Sequence, residues 1–155
     1  MKYLRLLLIF FVILLLNSCG YKNLNSQKIN DFKINKIETN GKEKLGYKLK
    51  NNIEIYSSQN SKLVYNIKIN LKSTKETKIK NNSGKSTRYS NILQADVLII
   101  NTNTLNEYKK TFTSSTDYDV GLTHSDTLNN EKNTTENNIN YISNEIVKYL
   151  RLLNI

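Results

Sequence analysis

Residues 62–73, KLVYNIKINLKS, and residues 86–100, STRYSNILQADVLII, carry the clearest pattern in the chain. In the first stretch, apolar side chains occupy every second position: Leu63, Tyr65, Ile67, Ile69 and Leu71. A similar alternation in the second stretch gives Tyr89, Leu93, Ala95, Val97 and Ile99. Because successive side chains of a strand point to opposite faces, period two over this length predicts two half-buried strands.

The sequence on either side of these stretches predicts two further strands. Residues 31–39 alternate in polarity with a slip near Asn35, and residues 105–118 follow an Asn- and Thr-rich turn that would bring them back onto the preceding strand. Residues 74–84 are polar and rich in lysine, and either extend the strand before them or form a long hairpin loop. The last three strands therefore form an antiparallel meander.

Helical spacing of apolar residues occurs twice. Leu45, Leu49, Ile53 and Tyr56 share one face of a helix over about residues 42–57. A second stripe, in a helix over about residues 134–153, consists of Ile139, Ile142, Ile146, Tyr149, Leu150 and Leu153. Thr134 or Thr135 is expected to cap this helix. Residues 119–132 are polar and are expected to form a flexible loop.

These elements follow one another in the order β-α-β-β-β-α. Each helix has one apolar face, and so does the sheet. The sequence therefore predicts an α+β domain over residues 31–155. Its architecture is a two-layer sandwich, with a mostly antiparallel four-stranded sheet and two helices on one face.

The first 18 residues have the features of an export signal. Lys2 and Arg5 precede an unbroken apolar run, Leu6 to Leu16, which is too short to span a bilayer. The sequence Leu16-Asn17-Ser18-Cys19 then resembles the lipobox of bacterial lipoproteins. We expect cleavage before Cys19, a lipid on its sulfur, and a polar tether over residues 19–30. An ordinary signal peptide and an uncleaved anchor are the alternatives.

The composition supports an exposed, basic domain. Cys19 is the only cysteine, which favours an attachment point over a disulfide. The whole chain has 23 Lys and Arg residues against 13 Asp and Glu residues. Such an excess of positive charge indicates an anionic partner, such as a phosphorylated glycolipid or a nucleic acid. A bias of AT-rich coding toward lysine would produce the same excess without any such partner.

The chain resembles the lipopolysaccharide-assembly lipoprotein family, LptE, in its shorter members. The resemblance lies in the start Cys19-Gly20-Tyr21, the order of the elements and three motifs. The motifs are the strand Leu63–Leu71, the segment Thr87-Arg88-Tyr89 with the run Leu93–Ile100 after it, and the segment Phe112–Tyr118 that leads to the last helix. It implies a plug for an LptD-like outer-membrane β-barrel that helps to deliver lipopolysaccharide to the cell surface. It also implies an outer-membrane location, with Gly20 rather than aspartate after Cys19, and a domain on the periplasmic side.

For glycolipid contact, Lys80, Lys85 and Arg88 are the candidates, because cations near one hairpin can bind lipid A phosphates. They would otherwise be ordinary solvated hairpin charges. His124 has no predicted metal-binding neighbours, and no nucleophile, phosphate-loop or metal motif is recognisable. We therefore expect no enzyme activity and no cofactor apart from the lipid on Cys19. A generic structural envelope lipoprotein without glycolipid binding is the main alternative function, and a nucleic-acid binder ranks last.

Overall fold

The computed structural model describes residues 31–153 and confirms the predicted α+β order of elements. The predicted signal peptide, Cys19 and the tether lie outside the described residues. The elements are β1 (Lys33–Gly41), α1 (Glu43–Glu54), β2 (Val64–Lys80), β3 (Ser86–Asn101), β4 (Glu107–Asp119) and α2 (His124–Leu152). Of the two alternatives for residues 74–84, the strand extension is correct up to Lys80, because β2 continues to pair with β3 there.

The sheet has the strand order β1-β2-β3-β4, with β2 and β3 at its centre. The strands β2, β3 and β4 are antiparallel, as predicted, and β1 is parallel to β2. A register shift between Ile34 and Lys36 marks the slip expected near Asn35. Gly41 ends β1 with a φ of +100°, and a Cβ there would lie 2.2 Å from the carbonyl oxygen of Leu71. Only glycine can therefore make this turn from β1 into α1.

Both helices pack on one face of the sheet and bury most of the predicted apolar side chains, but the first helix ends at Glu54 rather than near residue 57 and leaves the predicted Tyr56 44% exposed. The helix α1 contributes Leu49 and Ile53 to the core, and the sheet contributes the alternating residues of β2 and β3. The buried apolar residues of α2 are Ile139, Ile142, Ile146, Val147 and Leu150. The two helices run parallel, because Lys48 Nζ lies 2.6 Å from Glu136 Oε1 and Asn52 Nδ2 lies 2.9 Å from Asn140 Oδ1. Within residues 31–153, neither helix combines the length and the apolar character that a bilayer crossing requires.

The start of α2 corrects two of the expectations. The helix begins at His124, so most of the segment 119–132 is helical rather than a flexible loop. Thr123, not Thr134 or Thr135, is the cap: its Oγ1 accepts a hydrogen bond from the amide of Asp126, whose carboxylate accepts one from the Thr123 amide in return. This reciprocal pair, a capping box, satisfies two amides that the first helical turn would otherwise leave unpaired. The hydroxyls of Thr134 and Thr135 instead donate to carbonyls within the helix.

A buried asparagine joins α2 to the sheet. The side chain of Asn138 is fully buried, and its Nδ2 donates to the carbonyl of Asn91 on β3 at 2.8 Å. Its Oδ1 accepts hydrogen bonds from Ser114 and Thr116 on β4, at 2.8 and 2.7 Å. A buried amide is tolerated only when its polar atoms are paired, and here both ends of the amide are. The contact therefore fixes the position of α2 across two strands.

Replacing this amide should destabilise the fold. We expect Asn138→Ala to lower the free energy of unfolding by about 3 kcal/mol, because it leaves a buried carbonyl and two hydroxyls without their partner. Asn137→Ala changes the exposed neighbour and should alter the free energy by less than about 0.5 kcal/mol. Urea denaturation of the two variants measures the difference. Equal stability of both would show that Asn138 does not hold α2 in place.

Candidate functional site

The far end of the β2–β3 hairpin, opposite the point where β1 begins, brings two of the predicted residues together. Lys80 is the last residue of β2 and pairs with Ser86, while Lys85 lies in the turn between the strands. The carboxamide oxygen of Asn81 accepts hydrogen bonds from the amides of Ser83 and Lys85, at 3.1 and 2.9 Å. The turn is therefore held in one conformation, and both lysines are exposed on it.

Lys80 and Lys85 are available for an anionic ligand. Among residues 31–153, neither side chain has an ion-pair partner or a side-chain hydrogen bond. Lys78 is exposed on the same strand end and adds a third positive charge. Several ammonium groups at one end of a hairpin can donate charge-assisted hydrogen bonds to phosphate oxygens.

Arg88, the third predicted residue, is already bound to a carboxylate. It faces Asp119 across β3 and β4, with its Nε 2.6 Å from Oδ1 and its Nη2 3.1 Å from Oδ2. The hydrogen bond from Arg88 holds the pKa of Asp119 below its usual value. A phosphate would have to displace Asp119 to be bound by Arg88 in the same two-point manner.

Exposed apolar side chains lie at the same end of the sheet as these charges. Ile79 on β2 is 49% exposed, and Val120 and Leu122 after β4 are 39% and 103% exposed. The amide of Val120 donates to the carbonyl of Thr87 at 2.9 Å, so this segment adjoins the same hairpin. We call the group formed by Ile79, Lys80, Lys85, Val120 and Leu122 the distal patch. Its mixture of free ammonium groups and exposed apolar side chains matches a ligand that is both phosphorylated and lipidic.

A second ionic cluster, which the sequence did not indicate, lies between the distal patch and the core. Lys75 Nζ lies 2.6 Å from Glu131 Oε2 on α2, and the hydroxyl of Tyr118 donates to the same oxygen at 2.9 Å. The ammonium of Lys75 also stands 4.4 Å above the centre of the Tyr89 ring. Lys75 therefore connects three strands to the helix and is not free to bind a ligand.

The pKa values in this cluster reflect these contacts. The hydrogen bond from Lys75 lowers the pKa of Glu131, with a smaller contribution from Tyr118, and partial burial opposes the shift. Burial lowers the pKa of Lys75, but its contacts with Glu131 and Tyr118 outweigh that effect and raise it. Burial raises the pKa of Tyr118. The cluster therefore consists of a carboxylate, an ammonium and a neutral phenol at neutral pH.

A groove of about 650 Å³ lies between α1 and the first half of α2. Leu45 and Ile139 lie along it, with the exposed side chains of Tyr47 and Leu128 at its sides. The ion pair between Lys48 and Glu136 adjoins it. The groove is largely apolar, and no local pattern in the sequence predicts it, because its walls come from two helices that are far apart in the chain.

The remaining titratable residues do not form a metal site among the described residues. No group of three or more His, Cys, Asp or Glu side chains in the range 31–153 is arranged to hold a metal ion. His124 is the first residue of α2, and Asp119 binds Arg88.

Among known proteins, this chain has matches in fold but not in sequence. No family model matches the chain, and no curated protein matches it in sequence. The fold is similar to that of rare lipoprotein B from Shewanella oneidensis, with a TM-score of 0.58 and 8% identity over 77% of this chain and 96% of that one. It is also similar to a lipoprotein B from Nitrosomonas europaea, with a TM-score of 0.59 and 10% identity over 87% and 92% of the two chains.

A third solved structure has the same arrangement. It is a protein of Caulobacter crescentus described as a lipoprotein, with a TM-score of 0.54 and 16% identity over 76% of this chain and 89% of that one. At these identities, the similarity establishes a shared fold class, an α+β domain that occurs in bacterial lipoproteins.

The Lys75–Glu131 pair should make stability depend on pH at the acid end. Because the folded-state pKa of Glu131 lies below its ordinary value of 4.5, the stabilisation is complete above that pH and is lost as the pH falls through the folded-state pKa. We expect Glu131→Gln to lower the free energy of unfolding at neutral pH by less than about 1 kcal/mol, since the pair is partly exposed. Its difference from the wild type should shrink as the pH falls below 4.5.

The control for this prediction is Glu76→Gln, which removes an exposed carboxylate beside Lys75 on the same strand. Urea denaturation across the acid range should give this variant the pH profile of the wild type. A Glu131→Gln profile parallel to that of the wild type would contradict the proposed contribution of the pair.

Proposed function

We propose that this chain is an outer-membrane lipoprotein, anchored through a lipid on Cys19, whose domain plugs an LptD-like β-barrel and helps to deliver lipopolysaccharide. The observation that carries the proposal is the distal patch, where the unpaired Lys80 and Lys85 lie at the same end of the sheet as the exposed Ile79 and Leu122. Lipid A combines phosphates with acyl chains, and this combination matches the patch. The sequence resemblance to the LptE family and the lipoprotein neighbours in structure support the same assignment.

The uncovered face of the sheet suits the interior of a barrel. Lys68, Asn70 and Lys72 project from it along β2, opposite the face that the helices cover. On the neighbouring strands, Asp96 Oδ1 accepts hydrogen bonds from Gln94 and Thr111, at 2.9 and 2.8 Å. The lumen of an outer-membrane barrel is polar, so the polar side chains of this face, which flank the half-buried Ile92, Leu98 and Ile100 of β3, can lie against it.

The role we propose is one of binding and positioning, without catalysis or a cofactor other than the covalent lipid. In this role, the lysines of the distal patch bind the phosphates of the glycolipid, and its apolar side chains contact the acyl chains. A structural envelope lipoprotein that binds no glycolipid is the competing function, and it predicts that the charges of the distal patch have no binding role.

Purification of the tagged protein from outer membranes in mild detergent, followed by mass spectrometry, tests the barrel partnership. We expect one large β-barrel protein in a stoichiometric amount after a high-salt wash, because the proposed contact is an extended polar face rather than a few screened ion pairs. A Cys19→Ala variant shows whether the anchor is needed for recovery from that membrane. Recovery of the protein without any barrel would overturn the partnership.

Charge reversal in the distal patch tests the glycolipid contact. We expect Lys80→Glu with Lys85→Glu to weaken binding of bisphosphorylated lipopolysaccharide at least about tenfold, since two charge-assisted contacts are replaced by repulsion. The control is Lys42→Glu with Lys109→Glu, which makes the same charge change at two exposed positions elsewhere. Equilibrium binding to labelled lipopolysaccharide distinguishes them.

Two further binding measurements test whether phosphate is the group that is bound and whether Arg88 takes part. Dephosphorylated glycolipid should bind the wild type and the Lys80/Lys85 variant equally. Asp119→Asn should strengthen binding of the phosphorylated form if Arg88 joins the site, because it releases the guanidinium. Equal weakening by the control pair would assign the effect to net charge and contradict a specific site.

A further inference from the structure

The end of the domain where the described chain begins, opposite the distal patch, forms a distinct surface. The hydroxyl of Ser61 donates to the carbonyl of Asp31 at 2.6 Å, and Asn103 Nδ2 donates to the carbonyl of Lys62 at 2.7 Å. Residues 31, 55–63 and 101–106 and the last turn of α2 therefore lie at one end. We call this surface the tether end, because the chain continues from Asp31 toward Cys19.

Large apolar side chains are exposed at the tether end. Ile55 after α1 is 78% exposed, Leu105 in the β3–β4 turn is 75% exposed, and Leu152 at the end of α2 is 59% exposed. Tyr56 is 44% exposed, and the guanidinium of Arg151 lies 5.7 Å from the centre of its ring. These side chains come from three segments that are far apart in sequence, so their meeting at one end is a property of the fold.

The backbone of Leu105 strengthens this observation. Its φ is +60°, and among the described residues it is the only non-glycine with a positive φ. The turn is built by Asn101, whose carbonyl accepts from the amide of Leu105 at 2.8 Å and whose side chain accepts from the amide of Asn103 at 2.9 Å. Asparagine or glycine adopts this conformation with less strain than leucine does. The fold gains no packing from this exposed leucine, which points to a role outside the domain.

We propose that, in the anchored lipoprotein before it joins a barrel, the tether end lies against the phospholipid monolayer, with Leu105, Ile55 and Leu152 entering the interface between headgroups and acyl chains. The inference rests on the proposed lipid on Cys19. Only residues 19–30 separate that lipid from Asp31, and twelve residues reach at most about 40 Å. The anchor thus keeps the domain close to the membrane, so a few exposed apolar side chains suffice for contact.

The chemistry of the tether end agrees with a headgroup environment. Tyr56 combines an apolar ring with a polar hydroxyl, a combination that is enriched at membrane interfaces. Arg151 beside it can donate to a lipid phosphate. In this barrel-free state the distal patch points away from the bilayer, because the 17 residues of β2 span about 55 Å and separate it from the tether end.

An environment-sensitive fluorophore on the lipidated full chain tests the contact. Once Cys19 carries its lipid, a cysteine introduced by Thr104→Cys can be labelled alone, and Ser83→Cys places the same label at the distal turn. Both positions are exposed. In vesicles of phosphatidylethanolamine and phosphatidylglycerol, we expect a blue-shifted emission and quenching by lipid-borne nitroxides for the label at 104, with aqueous emission for the label at 83.

The apolar side chains are tested by Leu105→Asn with Ile55→Asn in the chain labelled at 104. We expect at least a twofold loss of nitroxide quenching. Leu105→Asn alone should raise the melting temperature in detergent by a few degrees, because it relieves the backbone strain. A stabler protein with weaker membrane contact would assign Leu105 to binding rather than to folding.

The outcomes separate this inference from the anchor on which it rests. Protein that fails to float with the vesicles overturns the anchor and the membrane contact together. Protein that floats with an aqueous label at 104, or with a shifted label at 83 instead, overturns the contact alone. Quenching that survives the double substitution overturns the role of Leu105 and Ile55.

Discussion

The buried amide of Asn138 determines how the two layers of this protein fit together. Apolar contacts between a helix and a sheet tolerate sliding, whereas hydrogen bonds to Asn91, Ser114 and Thr116 are satisfied in one position only. That position places Glu131, two turns earlier on α2, beside Lys75. The same position carries the amino end of α2 beyond α1 to the end of the sheet where Arg88 and Asp119 pair. A single polar contact in the core thus sets the geometry of the ionic cluster on the surface.

The sheet could be predicted from the sequence, because its central strands each have one buried and one exposed face. The apolar residues at every second position of β2 and β3 follow from that difference in burial between the two faces. The first part of α2 could not be recognised by the same means. Leu128 is the only large apolar residue between His124 and Asn133, and it is half exposed. The local sequence feature that marks the start of α2 is the Thr123–Asp126 capping box, which a helix can have without an apolar face.

The candidate site was predictable in part. The predicted hairpin itself brings Lys80 and Lys85 together, so their proximity followed from the strand assignment. The pairing of Arg88 with Asp119 depends on the register between β3 and β4, which the turn at 102–106 sets. The contribution of Glu131 depends on the tertiary position of α2. Asp119 pairs with Arg88 and Glu131 pairs with Lys75, so these carboxylates determine which cations remain free for a ligand. Neither pairing could be predicted from the local sequence pattern.

Parallel pairing of β1 with β2 also governs the order in which the chain can assemble. The strands β2, β3 and β4 are joined by short turns, so their loops close quickly and with little loss of entropy. The strand β1 has no neighbour until β2 is made, and α1 then has to pack over both. In a chain that crosses a membrane amino end first, Leu49 and Ile53 emerge before the surface that covers them exists. The segment from β1 to α1 would thus remain uncovered longer than the rest of the described domain in such a passage.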